Sequence, residues 1–291
     1  MPQLHLSNGQ TDYYEINDFT APWKADETDI VIFQAGIGRH TELLFHLVPL
    51  LSGSVRLIRR DLRGHGKSSI GDADGYNYTL DTLVEEMAEF VDKVAKRPVH
   101  WVGESTAGML AIAFAKAYPE KLKSLIIIST PLELGERFMS MTSEPYSSPG
   151  EAVRKLGILE WKRTRPVTTL DANQNVESYD MGDFSGEAYK AWDEEMLQKC
   201  SSEGIARYFD FITQVDITGL PQDVKTPTLV LSPKNSMASP VAVNQQIAST
   251  IQDSRLVIIP SVGHMVYIDQ PRATCDAILQ WVQDLKQRRS V

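Results

Sequence analysis

The chain has 291 residues, 42% hydrophobic and 23% charged, the balance of a soluble globular protein with one large domain or a core plus an inserted lid. Its formal net charge of −9 argues against nucleic acid or an anionic membrane as main partner, since both select basic surfaces. No stretch nears the ~18 uninterrupted apolar residues of a membrane span. The segment Met1-Pro2-Gln3-Leu4-His5-Leu6 lacks the basic-then-apolar order of a secretory signal. Cys200 and Cys275 lie far apart and suggest no disulfide framework, so a reducing, cytoplasmic location is expected. The six histidines form no tract with metal-ligand spacing, and neither metal nor cofactor is expected.

Taken in order, Gln3 to Leu6 and Thr11 to Ile16 alternate apolar and polar around Asn8-Gly9, which predicts a hairpin. Thr20 to Thr28 reads as a loop. Ile30-Val31-Ile32-Phe33 is a continuous apolar run, the pattern of a strand buried on both faces. It ends in Gln34-Ala35-Gly36-Ile37-Gly38, where glycines let a backbone come close to something above the sheet. Leu43, Leu44, Leu47, Val48 and Leu51 have helical spacing, and Val55 to Ile58 is a strand leading into Asp61-Leu62-Arg63-Gly64-His65-Gly66-Lys67-Ser68. Tyr78 to Val94 predicts a helix capped by Thr79 or Asp81.

Val99, Trp101 and Val102 then form a strand that meets a helical pattern running from Met109 to Ala117. Between them stands Gly103-Glu104-Ser105-Thr106-Ala107-Gly108. A serine on a sharp strand-to-helix turn, with small residues two before and two after, is held with its hydroxyl exposed above the sheet. Ala107 replaces the glycine of the usual G-x-S-x-G pattern. A capping serine at a helix N-terminus is the plainer alternative. Leu125 to Ile128 is the next strand. Strands alternating with helices imply an α/β fold, a mostly parallel sheet covered by helices on both faces.

That alternation breaks at Ser129-Thr130-Pro131. Residues 132–215 are read as an inserted helical cap rich in aromatics and methionines, among them Phe138, Trp161, Tyr179, Met181, Phe184, Met196, Tyr208 and Phe209, with Ser148-Pro149-Gly150 as a hinge. The core is then 1–131 with 216–291. Strands follow at Thr228 to Leu231 and Leu256 to Ile259, helices at Val241 to Ile251 and Ala273 to Gln287, and a loop at Ser261-Val262-Gly263-His264-Met265.

In this order the Gly36-Ile37-Gly38 loop, the Asp61 to Ser68 turn, the Ser105 elbow and Gly263-His264 resemble the α/β-hydrolase superfamily over nearly the whole chain outside the cap. The similarity is greatest to its lidded members: enol-lactonases, small esterases, carbon–carbon bond hydrolases and lactone hydrolases. It implies Ser105 as nucleophile and His264 as general base, with backbone N–H groups of Thr106 and Ile37, and Gly36 beside it, as the oxyanion hole. His65, His100, His40 and His46 are weaker candidates for the base. The aspartate that the resemblance leads one to expect after the strand at Leu229 to Leu231 is absent: Ser236 stands there, and Ser129 stands at the alternative acid position. Asn235 or Ser236 orienting His264, Glu133 reaching in from the cap entry, or no acid role at all stay open. Glu104 is expected to make a structural contact behind the elbow.

The implied activity is that of a serine hydrolase cleaving a carboxylic ester or lactone through an acyl-serine intermediate. A carbon–carbon bond hydrolase with the same Ser/His pair and a non-catalytic ligand-binding protein are the alternatives. The partner expected is a small hydrophobic ester or lactone; association into a homodimer stays open.

Overall fold

The computed structural model describes residues 2–71, 78–164, 187–236, 238–261 and 263–289. Strands β1 (Gln3–His5) and β2 (Thr11–Asn17) form the expected antiparallel hairpin, and Gly9 at its tip has φ 84°. They precede β3 (Ile30–Gln34), β4 (Arg56–Arg60), β5 (Val99–Glu104), β6 (Leu122–Ile128), β7 (Thr228–Pro233) and β8 (Ser254–Ile259). The eight strands make one sheet in the order β1-β2-β4-β3-β5-β6-β7-β8, antiparallel through the β2–β4 pair and parallel from β4 onward. Every residue of β3, β5 and β7 is buried, which is why Ile30 to Phe33 and Leu229 to Leu231 read as unbroken apolar runs rather than alternating ones.

Helices cover both faces. After β3 the chain makes a 3₁₀ helix at Thr41–Leu47 and then one α turn, α1 (Val48–Leu51), where a single α-helix is predicted. Pro49 sits at the start of α1, where its missing N–H costs nothing but cannot extend a helix from upstream. The helix α2 (Leu80–Phe90) is capped by Thr79, whose hydroxyl accepts from the Thr82 amide at 3.1 Å, and runs on as a π turn to Ala95. The helix α3 (Thr106–Ala117) is buried from Thr106 to Ala115, because it lies between the sheet and other helices. On its side of the sheet Trp101, Phe90 and Phe114 join one core cluster. On the opposite side Phe33, Val102, Tyr267 and Trp281 join another.

Between β6 and β7 come α4 (Glu136–Ser143), α5 (Pro149–Leu156), α6 (Ile158–Thr164), α7 (Glu187–Gln198) and α8 (Ser202–Ile212). The segment carrying Tyr179, Met181 and Phe184 lies outside the described residues. Ser148-Pro149-Gly150, expected as a hinge, forms the capped and packed start of α5. Ser148 caps α5 by accepting from the Glu151 amide at 3.1 Å, and Gly150 is buried where a Cβ would stand 2.9 Å from the Ala206 carbonyl of α8. The sequence signal was sound as punctuation, since proline at a first helical turn and glycine at a close approach both break patterns. Tight packing of α5 on α8 decides its meaning. Gly64 and Gly204 form a second close approach, between the turn after β4 and α8: a Cβ on Gly204 would lie 2.4 Å from the Gly64 carbonyl oxygen. The chain closes with α9 (Val241–Thr250), α10 (Val266–Asp269) and α11 (Pro271–Arg289). Among the described residues no helix is long and apolar enough to cross a membrane, and no cluster could hold a metal ion.

Candidate active site

The site stands at the C-terminal ends of β5, β6, β7 and β8. Ser105 follows β5 with φ 53° and ψ −124°, a conformation that costs an L-residue about 1–3 kcal/mol. Its amide donates to the Ile128 carbonyl at 2.8 Å, and its carbonyl accepts from the Gly108 amide at 2.9 Å. Small neighbours are a steric need here. A Cβ on Gly103 would lie 2.7 Å from the Ala107 carbonyl oxygen and 2.8 Å from the Ala111 Cβ. Ala107 is fully buried, so the departure from glycine is accommodated while the turn keeps its shape.

His264 follows β8, and its Nε2 lies 2.9 Å from Ser105 Oγ, so the structure brings the expected nucleophile and base into hydrogen-bond contact. Its Nδ1 lies 2.8 Å from Ser236 Oγ. An Nε2 free to accept the serine proton requires the other tautomer position to be filled, so Nδ1–H donates to Ser236. Ser236 is held in turn by the Ser239 amide, which donates to its Oγ at 3.0 Å. The loop carrying His264 is fixed at several points. Ser129, itself at φ 52°, donates its hydroxyl to the His264 carbonyl at 2.6 Å, and the Gly263 amide donates to Asp269 at 3.0 Å. Burial and the nearby Arg39 guanidinium push the imidazole down to about 4, so it is neutral at pH 7.

Of the candidates for the third member, Ser236 touches the imidazole and the others do not. Asn235 instead donates its amide to the Ser261 carbonyl at 3.0 Å, bracing the loop three residues before the base. Glu133 is exposed and makes no hydrogen bond or ion pair with His264. It points to water because Leu132 before it takes the buried position. The weaker histidines are all accounted for elsewhere: His65 donates to the Arg63 carbonyl, His40 to the Met196 carbonyl and His46 to the Tyr267 carbonyl, while His100 pairs with Ser124 in the sheet.

The amides expected to hold an oxyanion differ in their partners. Gly36 cannot serve, because its amide donates to Glu104 Oε2 at 2.8 Å. Thr106 opens α3, where amides lack intrahelical partners and the dipole is positive. Ile37 sits opposite on the loop after β3. Neither of these two amides has a hydrogen-bond partner among the described residues, and both residues line the pocket beside Ser105. A Cβ on Gly36 would stand 3.0 Å from Ser105 Cβ, so glycine is what allows this loop to close on the elbow.

Glu104 does not lie behind the elbow. Besides holding Gly36, its carboxylate approaches His264 Nε2 to 3.9 Å and borders the pocket. Burial raises its pKa to about 7, against the pull of the Gly36 amide and Arg39.

Above the serine is a pocket of about 120 Å³, whose apolar wall includes Leu134, Phe138, Ile158, Trp161 and Leu197 from the segment between β6 and β7. That is somewhat less than the roughly 150 Å³ of a cavity that admits benzene. Arg39 and Lys162 also line it, and both pair with the single carboxylate of Asp193. No sequence pattern marks Arg39, Lys162 or Asp193, because they come from three separated segments and meet only through the fold.

A family model described as the alpha/beta hydrolase fold matches residues 29–271. The proline iminopeptidase of Lactobacillus crispatus is 25% identical, over 89% of this chain and 91% of that relative. The poly(3-hydroxyalkanoate) depolymerase of Ectopseudomonas oleovorans is 24% identical, over 99% of this chain and 96% of that relative. The crystal structure of the enol-lactonase from Burkholderia xenovorans superposes with a TM-score of 0.75 at 19% identity, covering 97% of this chain and 100% of that one. The expected α/β architecture, the sheet built from it and the extent of the family match agree, and the chain belongs to the alpha/beta hydrolase fold family.

Proposed function

We propose that the chain is a serine hydrolase that cleaves a carboxylic ester or a lactone through an acyl-serine intermediate. The observation that carries this reading is the 2.9 Å contact between Ser105 Oγ and His264 Nε2 at the floor of an apolar pocket. In the first half-reaction Ser105 Oγ bonds to the carbonyl carbon and its proton passes to His264 Nε2. The carbonyl oxygen, now negative, takes hydrogen bonds from the Thr106 and Ile37 amides. The tetrahedral intermediate collapses, and Nε2 returns the proton to the leaving oxygen. Water then repeats the sequence on the acyl-serine and releases the acid. Ser236 keeps the imidazole in the productive tautomer throughout.

Two features favour an ester or lactone over an amide. The imidazole is a weak base in this environment, which suits the more electrophilic ester carbonyl. The pocket wall is largely apolar and its cations Arg39 and Lys162 are paired with Asp193, so a neutral substrate fits better than an ammonium-bearing one. The substrate is thus a small hydrophobic ester or lactone. A carbon–carbon bond hydrolase would use the same pair.

The neutral partner at Nδ1 favours a second reading, a ligand-binding protein that keeps the pocket without turnover. Incubation with a fluorophosphonate probe separates the two. Labelling at Ser105 that vanishes in Ser105→Ala and falls at least tenfold in His264→Ala supports the enzyme. Absence of labelling in the unaltered protein, together with no turnover on short esters, aryl esters and lactones, sinks it.

A further inference from the structure

We propose that Glu104 supplies the negative charge that balances His264 when the imidazole takes up the serine proton, in place of an acid at Nδ1. This rests on the serine hydrolase reading above. Among the described residues Glu104 is the one carboxylate within 4 Å of the imidazole, with Oε1 at 3.9 Å from Nε2. Ser236 on the opposite nitrogen can accept a hydrogen bond but carries no charge.

The carboxylate is held for this task at both ends. Its backbone belongs to the last residue of β5, and Oε2 accepts the Gly36 amide, so Oε1 faces the imidazole. Glu104 is also 2% exposed, which leaves little water to screen its charge. The charged and titratable groups that face it are Arg39 from the loop after β3, His264, Tyr208 of α8 and Tyr267 of α10. Burial holds both tyrosines well above their ordinary value, so they stay neutral.

The proton balance is simple. The Ser105 O–H bond breaks as Oγ bonds to carbon, the proton moves to Nε2, and the pair becomes imidazolium beside carboxylate. Glu104 itself gains and loses no proton in the cycle. With its carboxyl protonated, the same transfer leaves a buried cation without a counter-charge, which is costly. Burial puts the carboxyl at about 7, so kcat on a short ester should rise with pH through that region.

Glu104→Gln tests this, because the amide oxygen can still accept from Gly36. The expected result is a kcat on p-nitrophenyl acetate about 10- to 100-fold lower, KM within about twofold, and loss of the rise near pH 7. Ser236→Asp, which places a carboxylate at Nδ1, should restore kcat at least about fivefold in the Glu104→Gln background. A Glu104→Gln protein that keeps both its kcat and its rise near pH 7 overturns the proposal. If Glu104→Gln does not fold, Ser236→Asp alone decides: it should flatten the rise, and an unchanged profile overturns the proposal. Fluorophosphonate labelling tells the two levels apart. Failure of the unaltered protein to label removes the serine reading itself, whereas normal labelling with the same rate and pH profile in Glu104→Gln removes Glu104 alone.

Discussion

Ser236 Oγ lies 2.8 Å from His264 Nδ1, so a hydroxyl occupies the place from which an imidazole is usually held by an acid. A hydroxyl fixes the tautomer but offers a dipole where a charge would do more. Ser236→Ala leaves Nδ1–H without its acceptor, a loss of about 1–3 kcal/mol. That corresponds to a kcat reduced by about 5- to 150-fold. Steady-state kinetics on a short aryl ester measure it, and a reduction under threefold would show that the contact is incidental.

Asn235 acts on the same loop at one remove. Its bond to the Ser261 carbonyl is part-buried and neutral, and its loss in Asn235→Ala should cost about 1 kcal/mol of stability. The kcat should stay within about threefold, since the imidazole contacts remain. Urea unfolding set beside kinetics checks the split, and a kcat loss equal to that of Ser236→Ala would put Asn235 back among the orienting residues.

The backbone of Ser105 permits a comparison between two inactive variants. Ser105→Ala keeps the unfavourable φ of 53°, while Ser105→Gly relieves it. Relief of about 1–3 kcal/mol, less about 0.4–1 kcal/mol of added freedom in the unfolded chain, leaves Ser105→Gly the more stable by about 1 kcal/mol. Equal stability of the two variants would mean that the elbow stores no strain.

The Gly64–Gly204 approach gives a steric test. In Gly204→Ala the new methyl meets the Gly64 carbonyl at 2.4 Å, and the rigid obstacle is backbone. Overpacking of this kind costs about 1–3 kcal/mol. Because α8 also carries Tyr208 and Phe209 into the core, kcat/KM should decline along with the Tm. An unchanged Tm would show that α8 can shift freely over the turn after β4.

Stability against pH should carry the mark of Glu104. Its folded pKa, about 7, is above the ordinary carboxylate value, so folding is favoured fully when the group is protonated in both states. As pH rises from about 4 the unfolded chain ionises first, and the folded state loses ground until the carboxyl ionises at about 7. Glu104→Gln removes this cost. The variant should gain on the unaltered protein by about 3 kcal/mol between pH 4.5 and 8, read by urea unfolding at each pH. A constant difference across that range would contradict the buried ionisation.

The fold was legible because its signals are local. Unbroken apolar runs mark Ile30 to Phe33 and Leu125 to Ile128, and glycine falls where strands meet helices. The same holds for Ser105 and His264, each set by a turn at a strand end. The site's electrostatics were not legible in that way. Whether Asn235 or Ser236 faces an imidazole depends on a single residue of loop register, and a half-turn reverses the answer. Gly36 reads as an oxyanion donor until the Glu104 carboxylate, distant in sequence, takes its amide. Residues 132–215 showed composition without period-clear boundaries, and the close glycine contacts there depend on pairs of segments distant in sequence rather than on one segment.

His264 is gripped by Ser105, Ser129 and Ser236, which follow β5, β6 and β7, while the histidine itself follows β8. Neighbouring strands of one sheet thus each lend a hydroxyl to the same residue, and among the described residues none of these grips comes from α4 to α8. The contacts that set the Ser105–His264–Ser236 geometry thus involve no residue of those helices, although their side chains line the pocket. Remodelling of the roof can therefore change which molecule is accepted while the machinery beneath it is left alone.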